Sequence, residues 1–375
     1  MMERRWLTNI PWSMSGLAVG IAIIGLFAVY SATFTSQGPS SLYYKQLLWI
    51  AAGIVVMFLA IIPDYHTIGR FAYSLYIVSI VLLVLVMVVG RAGMGAQRWL
   101  SLGPIAFQPS ELAKLAVVLA LARYFAEDPR QSYGLTDLAK PAILVMIPLV
   151  LVLRQPDLGT ALMLLLAASI VIVIAGLRIQ ALMVVCIVAA TLAASVVLVP
   201  PVKGKVWNSL KPYQQKRIKA FLNPESDPLG SGYHAHQSKI AVGSGRITGK
   251  GFLQGTQSQL AFLPERHTDF IFSVIAEEHG LFGTGFMLFL YLALLLLGIE
   301  TAKNAKDKLG ALMAGGIVAM LALYVFINIG MTVGVAPVVG VPLPLASYGG
   351  TSIITTFLAI GLLSNIQMRR YMLFY

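Results

Sequence analysis

The sequence predicts an all-α polytopic membrane protein: a single transmembrane domain over residues 1–375, with about ten spanning helices and one large loop at 201–269 between helices 7 and 8. Three observations carry this. Of the 375 residues, 58% are hydrophobic and only 11% are charged, whereas a soluble domain carries about a quarter charged residues. Apolar runs recur along the whole chain, near 13–33, 44–62, 70–90, 110–126, 139–153, 158–175, 181–200, 270–298, 309–332 and 350–367. Most approach the roughly 20 residues that span a bilayer as a helix. The stretch 201–269 alone has a soluble character.

The first run follows Glu3, Arg4 and Arg5. It is longer than the apolar core of a secretory signal, so it reads as a retained anchor. The fifth run is short and closes on Arg154-Gln155-Pro156-Asp157, as one arm of a tight hairpin with the sixth. One cysteine, Cys186, lies in the seventh run, so no intramolecular disulfide is possible. The formal net charge of +12 points to topology and anionic lipid, with no nucleic-acid partner. Placing the N-terminus in the cytoplasm puts Arg70, Arg123, Arg130, Lys140, Arg178, Lys303, Lys306, Lys308, Arg369 and Arg370 inside, and leaves Lys45, Arg91, Arg98 and Arg154 in short outer segments. This obeys the positive-inside rule. An even number of spans then leaves both termini cytoplasmic and the large loop outside.

Within that loop, Tyr213, Arg217, Ile218, Phe221 and Leu222 interleave with Gln214, Gln215, Lys216 and Lys219. The pattern fits a helix lying on the membrane surface, or equally a solvated helix packed on the protein. The run Gly243-Ser244-Gly245-Arg246-Ile247-Thr248-Gly249-Lys250-Gly251 looks like a phosphate loop but lacks the Walker spacing. His234 and His236 have no third ligand nearby that would suit zinc. No internal repeat is evident to support an inverted-repeat transporter.

Charged residues at membrane depth mark function or a structural pair. In Gln108-Pro109-Ser110-Glu111-Leu112-Ala113-Lys114, Glu111 and Lys114 share a helix face, with Ser110 a natural N-cap. The pair either holds the helix end as a salt bridge or faces a polar cavity where Lys114 meets a phosphate. Arg91 and Arg98 flank Gly93-Met94-Gly95-Ala96-Gln97; two arginines on flexible backbone suit a lipid phosphate, and plain interfacial anchoring is the alternative. Asp157 reads as an N-cap partnered by Arg154, or as a substrate or cation ligand. Leu263-Pro264-Glu265-Arg266-His267-Thr268-Asp269-Phe270-Ile271-Phe272 is the densest constellation. Local sequence favours Thr268 or Asp269 as a helix cap. A proton-accepting Asp269 is the other reading. Glu277 and Glu278 either reach the same cavity or cap a break at Gly280. The segment Gly334–Gly350, with Pro337, Pro342, Pro344 and Ser347, is irregular backbone that needs burial in protein or a wet cavity. It is expected to pack on the large loop.

These motifs, with Arg98-Trp99-Leu100, Gln155-Pro156-Asp157-Leu158-Gly159-Thr160, Gln237-Ser238-Lys239-Ile240-Ala241-Val242-Gly243-Ser244-Gly245, Gly255-Thr256-Gln257-Ser258-Gln259-Leu260 and Pro344-Leu345-Ala346-Ser347-Tyr348-Gly349-Gly350, resemble the SEDS family (shape, elongation, division and sporulation) over essentially the whole chain. Arg266 and the Gly255–Gln259 run point to its rod-shape branch rather than its division branch. The resemblance implies ten helices, cytoplasmic termini and a multi-pass protein of the bacterial cytoplasmic membrane. It implies a peptidoglycan glycosyltransferase that polymerises lipid II during cell elongation and releases undecaprenyl pyrophosphate. The expected partner is a class B penicillin-binding protein, a transpeptidase. The family's essential aspartate maps onto Asp269.

On that reading Asp269 accepts or orients the proton of the attacking hydroxyl. Arg98, Lys114, Lys239 or a divalent cation, Mg or Mn, screens the leaving pyrophosphate. Glu111 holds Lys114, and Asp157, His267 and Ser347 complete the substrate-binding set. No organic cofactor is expected. The competing functions are a lipid-linked precursor flippase or transporter, and a noncatalytic scaffold for a transpeptidase.

Overall fold

The computed structural model describes residues 11–370, apart from 35–37, 39, 94–95, 103–104, 260–262, 264 and, except for 204, 208 and 215, 199–230. Among the described residues, ten helices fall on the ten expected runs. They are α1 (Trp12–Thr33), α2 (Ser41–Ile61), α4 (Ala72–Val89), α5 (Pro109–Glu127), α6 (Ala139–Arg154), α7 (Leu158–Ile174), α8 (Ile179–Leu198), α11 (Ile271–Lys303), α12 (Lys308–Thr332) and α13 (Gly350–Arg369). Short helices α3 (Tyr65–Arg70), α9 (Ser231–Ser244) and α10 (Thr256–Gln259) lie between them. Among the described residues, seven helices are long and apolar enough to cross a membrane by length and composition. The chain is a multi-pass membrane protein. The anticipated surface helix at 212–222 lies outside the described residues.

α5 explains why composition alone undercounts the spans. Nearly every side chain from Pro109 to Ala122 is buried, because α4, α7 and α12 surround it. A helix that meets protein on all sides is released from the demand for lipid-facing bulk. Its Ala113, Ala116, Ala120 and Ala122 instead let neighbouring backbones approach closely. Its first turn differs from expectation: Gln108 occupies the cap position without a side-chain bond to the helix amides, and Pro109 opens the helix. Proline is pre-shaped for that place, so Ser110 sits inside the helix and is not its cap.

Between α4 and α5 the chain forms a small antiparallel sheet, β1 (Arg91–Gly93), β2 (Ala96–Leu102) and β3 (Ile105–Phe107). The sequence reading expected flexible backbone here. Two hairpins instead pair Arg91 with Trp99 and Leu100 with Phe107, which gives Arg98 a rigid support. At the opposite end of the bundle, His66 lies 2.9 Å from Asp64 and 2.6 Å from Asp307, joining the α2–α3 and α11–α12 linkers.

α11 is not one rod. It breaks at Gly280 (φ 61°, ψ −156°), a backbone conformation open essentially to glycine alone. The break frees backbone groups that need partners, and the Gly-rich turn of the large loop supplies them. The amides of Lys250 and Gly251 donate to the carbonyls of Glu277 and Glu278, each at 3.0 Å; the amides of Leu281 and Phe282 donate to Arg246 and Ile247 at 2.9 and 3.2 Å. The sequence that imitates a phosphate loop is thus spent on a broken helix. The segment before the break reaches from Ser273, beside Ser238 and the end of α12, to Glu278, bonded to Ser31 near the end of α1. It therefore lies across the loop end of the bundle. The remainder, 281–303, is long enough to cross a bilayer by itself.

A Cβ on Gly280 would come within 2.4 Å of the Gly249 nitrogen and 2.6 Å of the Ile247 oxygen. Gly280→Ala is expected to lower stability by at least ~1–3 kcal/mol and to expose the 246–251 turn to protease. Gly285→Ala, where a Cβ meets nothing within 4 Å, serves as the control and leaves both unchanged. Thermal unfolding in detergent and limited proteolysis measure the two effects.

Candidate active site

The residues singled out from sequence gather at the loop end of the bundle. Asp269 stands half-buried on the turn Glu265–Phe270. It is not a helix cap: α11 begins at Ile271, the cap position is Phe270, and no side chain caps it. Thr268 is not a cap either, since its hydroxyl donates to the Glu265 carboxylate at 3.0 Å. The capping reading of both residues is overturned.

The turn is held by its backbone. Three consecutive carbonyls each accept a hydrogen bond. His267 takes the Tyr348 amide at 2.8 Å, Thr268 takes the Ser347 hydroxyl at 2.6 Å, and Asp269 takes the Asn328 side-chain amide at 2.9 Å. The Ser347 hydroxyl also accepts the Leu343 amide at 2.8 Å, so its proton and a lone pair are both committed within the protein. Its anticipated role in binding substrate becomes one of anchoring. As expected, the Gly334–Gly350 segment packs on the end of the large loop. Gln46 of α2 steadies that segment from behind, donating to the Ser347 carbonyl at 3.1 Å. Arg266 reaches the other way, to the Ala32 carbonyl at 2.5 Å and to the Ser258 carbonyl, fastening the turn to α1 and α10.

Glu111 and Lys114 form a buried pair at 2.7 Å, the salt-bridge alternative of the sequence reading. Tyr324 of α12 closes it into a triad, donating to the second Glu111 oxygen at 2.7 Å and bonding the Lys114 ammonium. Tyr324 and Asn328 lie four residues apart on α12, neighbours on one face. The ion pair and the Asp269 turn therefore hang from adjacent turns of one helix.

Asp157 caps α7, accepting the Thr160 amide at 3.1 Å. Its basic neighbour is Arg98, at 3.8 Å, whereas Arg154 is exposed. The β2 strand delivers Arg98 to the α6–α7 turn, where it donates to the Gln155 carbonyl at 3.4 Å and to that of Pro156. Gln108 joins the group through a 3.3 Å bond to Asp157. Lys239 differs from these cations. It is exposed on α9, its stem passes over Gly334, and among the described residues it makes no hydrogen bond or ion pair.

Glu277 serves the loop rather than a cavity. Fully buried, it accepts the Gln257 and Ser258 amides at 2.9 and 3.2 Å and the Lys250 ammonium at 2.7 Å. Among the described residues no group of three or more His, Cys, Asp or Glu side chains is arranged to hold a metal. Sequence reasoning missed Gln46, Gln108, Tyr324 and Asn328. The signal for three of them was an uncharged polar side chain inside an apolar helix, which demands a partner as surely as a charge does.

Burial pushes the His267 imidazole below its ordinary value of 6.5, so it is neutral at pH 7. A group whose folded pKa is depressed binds protons more readily in the unfolded chain. Its stabilising contribution is thus full above 6.5 and is lost as pH falls below that value. His267→Gln is expected to flatten the loss of melting temperature between pH 7.5 and 5.5. For the ion pair, Glu111→Gln leaves the buried ammonium uncompensated and is expected to cost about 3–5 kcal/mol, whereas Glu111→Leu with Lys114→Met recovers most of it. Denaturant titration of the variants tests this.

Comparison with known proteins agrees with the geometry. The family of FtsW, RodA and SpoVE cell cycle proteins matches residues 11–372. The peptidoglycan glycosyltransferase MrdB of Escherichia coli K12 is 43% identical over 359 residues, covering 95% of this chain and 93% of its own. The peptidoglycan glycosyltransferase RodA of Treponema pallidum is 33% identical, covering 98% and 100%. Among solved structures, the rod-shape-determining protein RodA of Thermus thermophilus superposes with a TM-score of 0.71 at 31% identity, covering 97% of this chain and 98% of that one. A chain from a peptidoglycan synthase complex that coordinates polymerization and crosslinking superposes with a TM-score of 0.81 at 35% identity, covering 96% and 98%. With a match running almost from end to end, the chain belongs to the FtsW, RodA and SpoVE family of cell cycle proteins.

Proposed function

We propose that this chain, a peptidoglycan glycosyltransferase that polymerises lipid II during cell elongation, uses Asp269 as its general base. The observation that carries the assignment is the placement of Asp269. It is an acid relieved of capping duty, half-buried at the loop end, on a turn whose three neighbouring carbonyls are pinned. A base held this way loses little orientational freedom on meeting its substrate.

The 4-hydroxyl of an acceptor N-acetylglucosamine attacks C1 of a donor N-acetylmuramic acid. The Asp269 carboxylate takes the hydroxyl proton, and the C1–O bond breaks with its electron pair going to undecaprenyl pyrophosphate. The leaving group needs positive charge rather than a proton. Lys239, exposed and without an ion pair among the described residues, would supply that charge. Arg98 and Lys114 are each tied to a carboxylate, at 3.8 and 2.7 Å, so their charge is already matched within the protein. Mg or Mn would add charge screening to the pyrophosphate. Magnesium commonly binds through one or two carboxylates plus substrate phosphates, so the substrate's own pyrophosphate would supply most of its ligands. The polyprenyl tail would stay in the bilayer alongside the exposed apolar helix faces.

The positive-inside charge pattern supports cytoplasmic termini and an outward-facing site, and the likeness to bacterial relatives supports the bacterial cytoplasmic membrane. Its likeness to a chain from a synthase complex supports a crosslinking transpeptidase, a class B penicillin-binding protein, as partner.

The test is polymerisation of labelled lipid II by the full-length chain supplied with such a partner and a divalent cation. Asp269→Asn, which keeps shape and removes the base, is expected to lower turnover by about 10²–10⁴-fold while the protein stays folded. Lys239→Ala is expected mainly to weaken lipid II binding. Equal polymer from wild type and Asp269→Asn would reduce Asp269 to a bystander. Lipid II translocation without polymer from either would favour the flippase.

A further inference from the structure

Asn328 occupies an unusual place. It lies on α12, fully buried, inside a helix otherwise rich in apolar residues. Both hydrogens of its amide are engaged: Nδ2 donates to the Asp269 carbonyl at 2.9 Å and to the Val341 carbonyl at 2.7 Å. Val341 belongs to the 333–349 segment, whose Ser347 and Tyr348 hold the two preceding carbonyls of the same turn. One side chain therefore ties together the turn that carries the base and the segment that anchors it. The Asn328 Oδ1 atom is buried with no protein donor. An unsatisfied buried acceptor costs free energy, a cost that the two Nδ2 bonds offset.

We propose that Asn328 is a positioning residue for glycosyl transfer, setting the Asp269 carboxylate through the Asp269 peptide. The proposal rests on the assignment of Asp269 as base. Asn328 is fully buried, so it acts through the backbone of Asp269 and not on the sugar. Binding of lipid II, led by exposed cations such as Lys239, is independent of it. Tyr324 one turn earlier holds the Glu111–Lys114 pair, so α12 sets the base and the ion pair in one register.

Asn328→Asp keeps the size and replaces the two-hydrogen donor with an oxygen facing two carbonyls. Asn328→Leu removes the amide without burying a charge. Both are measured in the full-length chain with a class B penicillin-binding protein and labelled lipid II, beside wild type, Asp269→Asn and Ser347→Ala. The expected result is a fall in kcat of about 10–100-fold, the penalty of a misplacement near 1 Å, with KM for lipid II changed less than about threefold. Ser347→Ala, which loosens the adjacent carbonyl, is expected to combine with Asn328→Leu non-additively in kcat.

An unchanged kcat in either folded variant overturns the proposal. So does a parallel loss of kcat, lipid II affinity and melting temperature in both, which marks a purely structural residue. Should Asn328→Asp fail to fold, Asn328→Leu decides; failure of both to fold also assigns Asn328 to structure alone. Polymer from wild type but not from Asp269→Asn keeps the base assignment standing whatever Asn328 does. Polymer from both removes that assignment and this proposal together.

Discussion

The arrangement depends on the docking of three successive carbonyls, His267, Thr268 and Asp269, against donors from α12 and the segment after it. A loop of nearly seventy residues has many ways to close, and a carboxylate at its end would wander with it. Fixing three adjacent peptides restrains the torsions on either side of Asp269. Since the donors are an amide nitrogen and a hydroxyl of the 333–349 segment and a side-chain amide of α12, the turn is held from several directions. Arg266 adds a tether to α1 on the far side.

The rest of the loop end follows from that docking. The turn can reach α12 only if the segment after it lies across the bundle, and the segment can lie across only if α11 breaks. Gly280 permits the break, and the Arg246–Gly251 turn satisfies the backbone it frees. Glu277, buried beneath the loop, gathers Lys250 and two amides of α10. A pair of glycine-dependent conformations, at Gly249 (φ +81°) and Gly280, thus sustains the placement of an acid eleven residues before the second of them.

Much of this was legible in the sequence. Span lengths placed all ten long helices, because apolar length is a local property. The Glu111–Lys114 pair and the Asp157 cap were legible for the same reason: both are encoded within four residues. Features set by distant partners were not. Local capping preference chose Thr268 or Asp269, yet the Asp269 carbonyl is bound to Asn328, 59 residues away, and the turn overrides the cap. Arg154 was the nearer cation to Asp157, but the unforeseen β-hairpin carries Arg98 to it. Gln46, Tyr324 and Asn328 were passed over because a lone uncharged polar residue barely dents an apolar run, although each must find a partner there.

The Glu111–Lys114–Tyr324 triad has a consequence for biosynthesis. Lys114 and Tyr324 are separated by 210 residues. At a synthesis rate of about 5–20 residues per second, the tyrosine emerges roughly 10–40 s after the lysine. Throughout that interval α5 must enter or wait beside the bilayer carrying a full acid and a full base. The i, i+3 spacing lets the two neutralise each other within one turn of the nascent helix, so admission to the membrane need not await α12. The tyrosine then arrives as a latch on a pair already made, and the order of translation becomes the order of assembly.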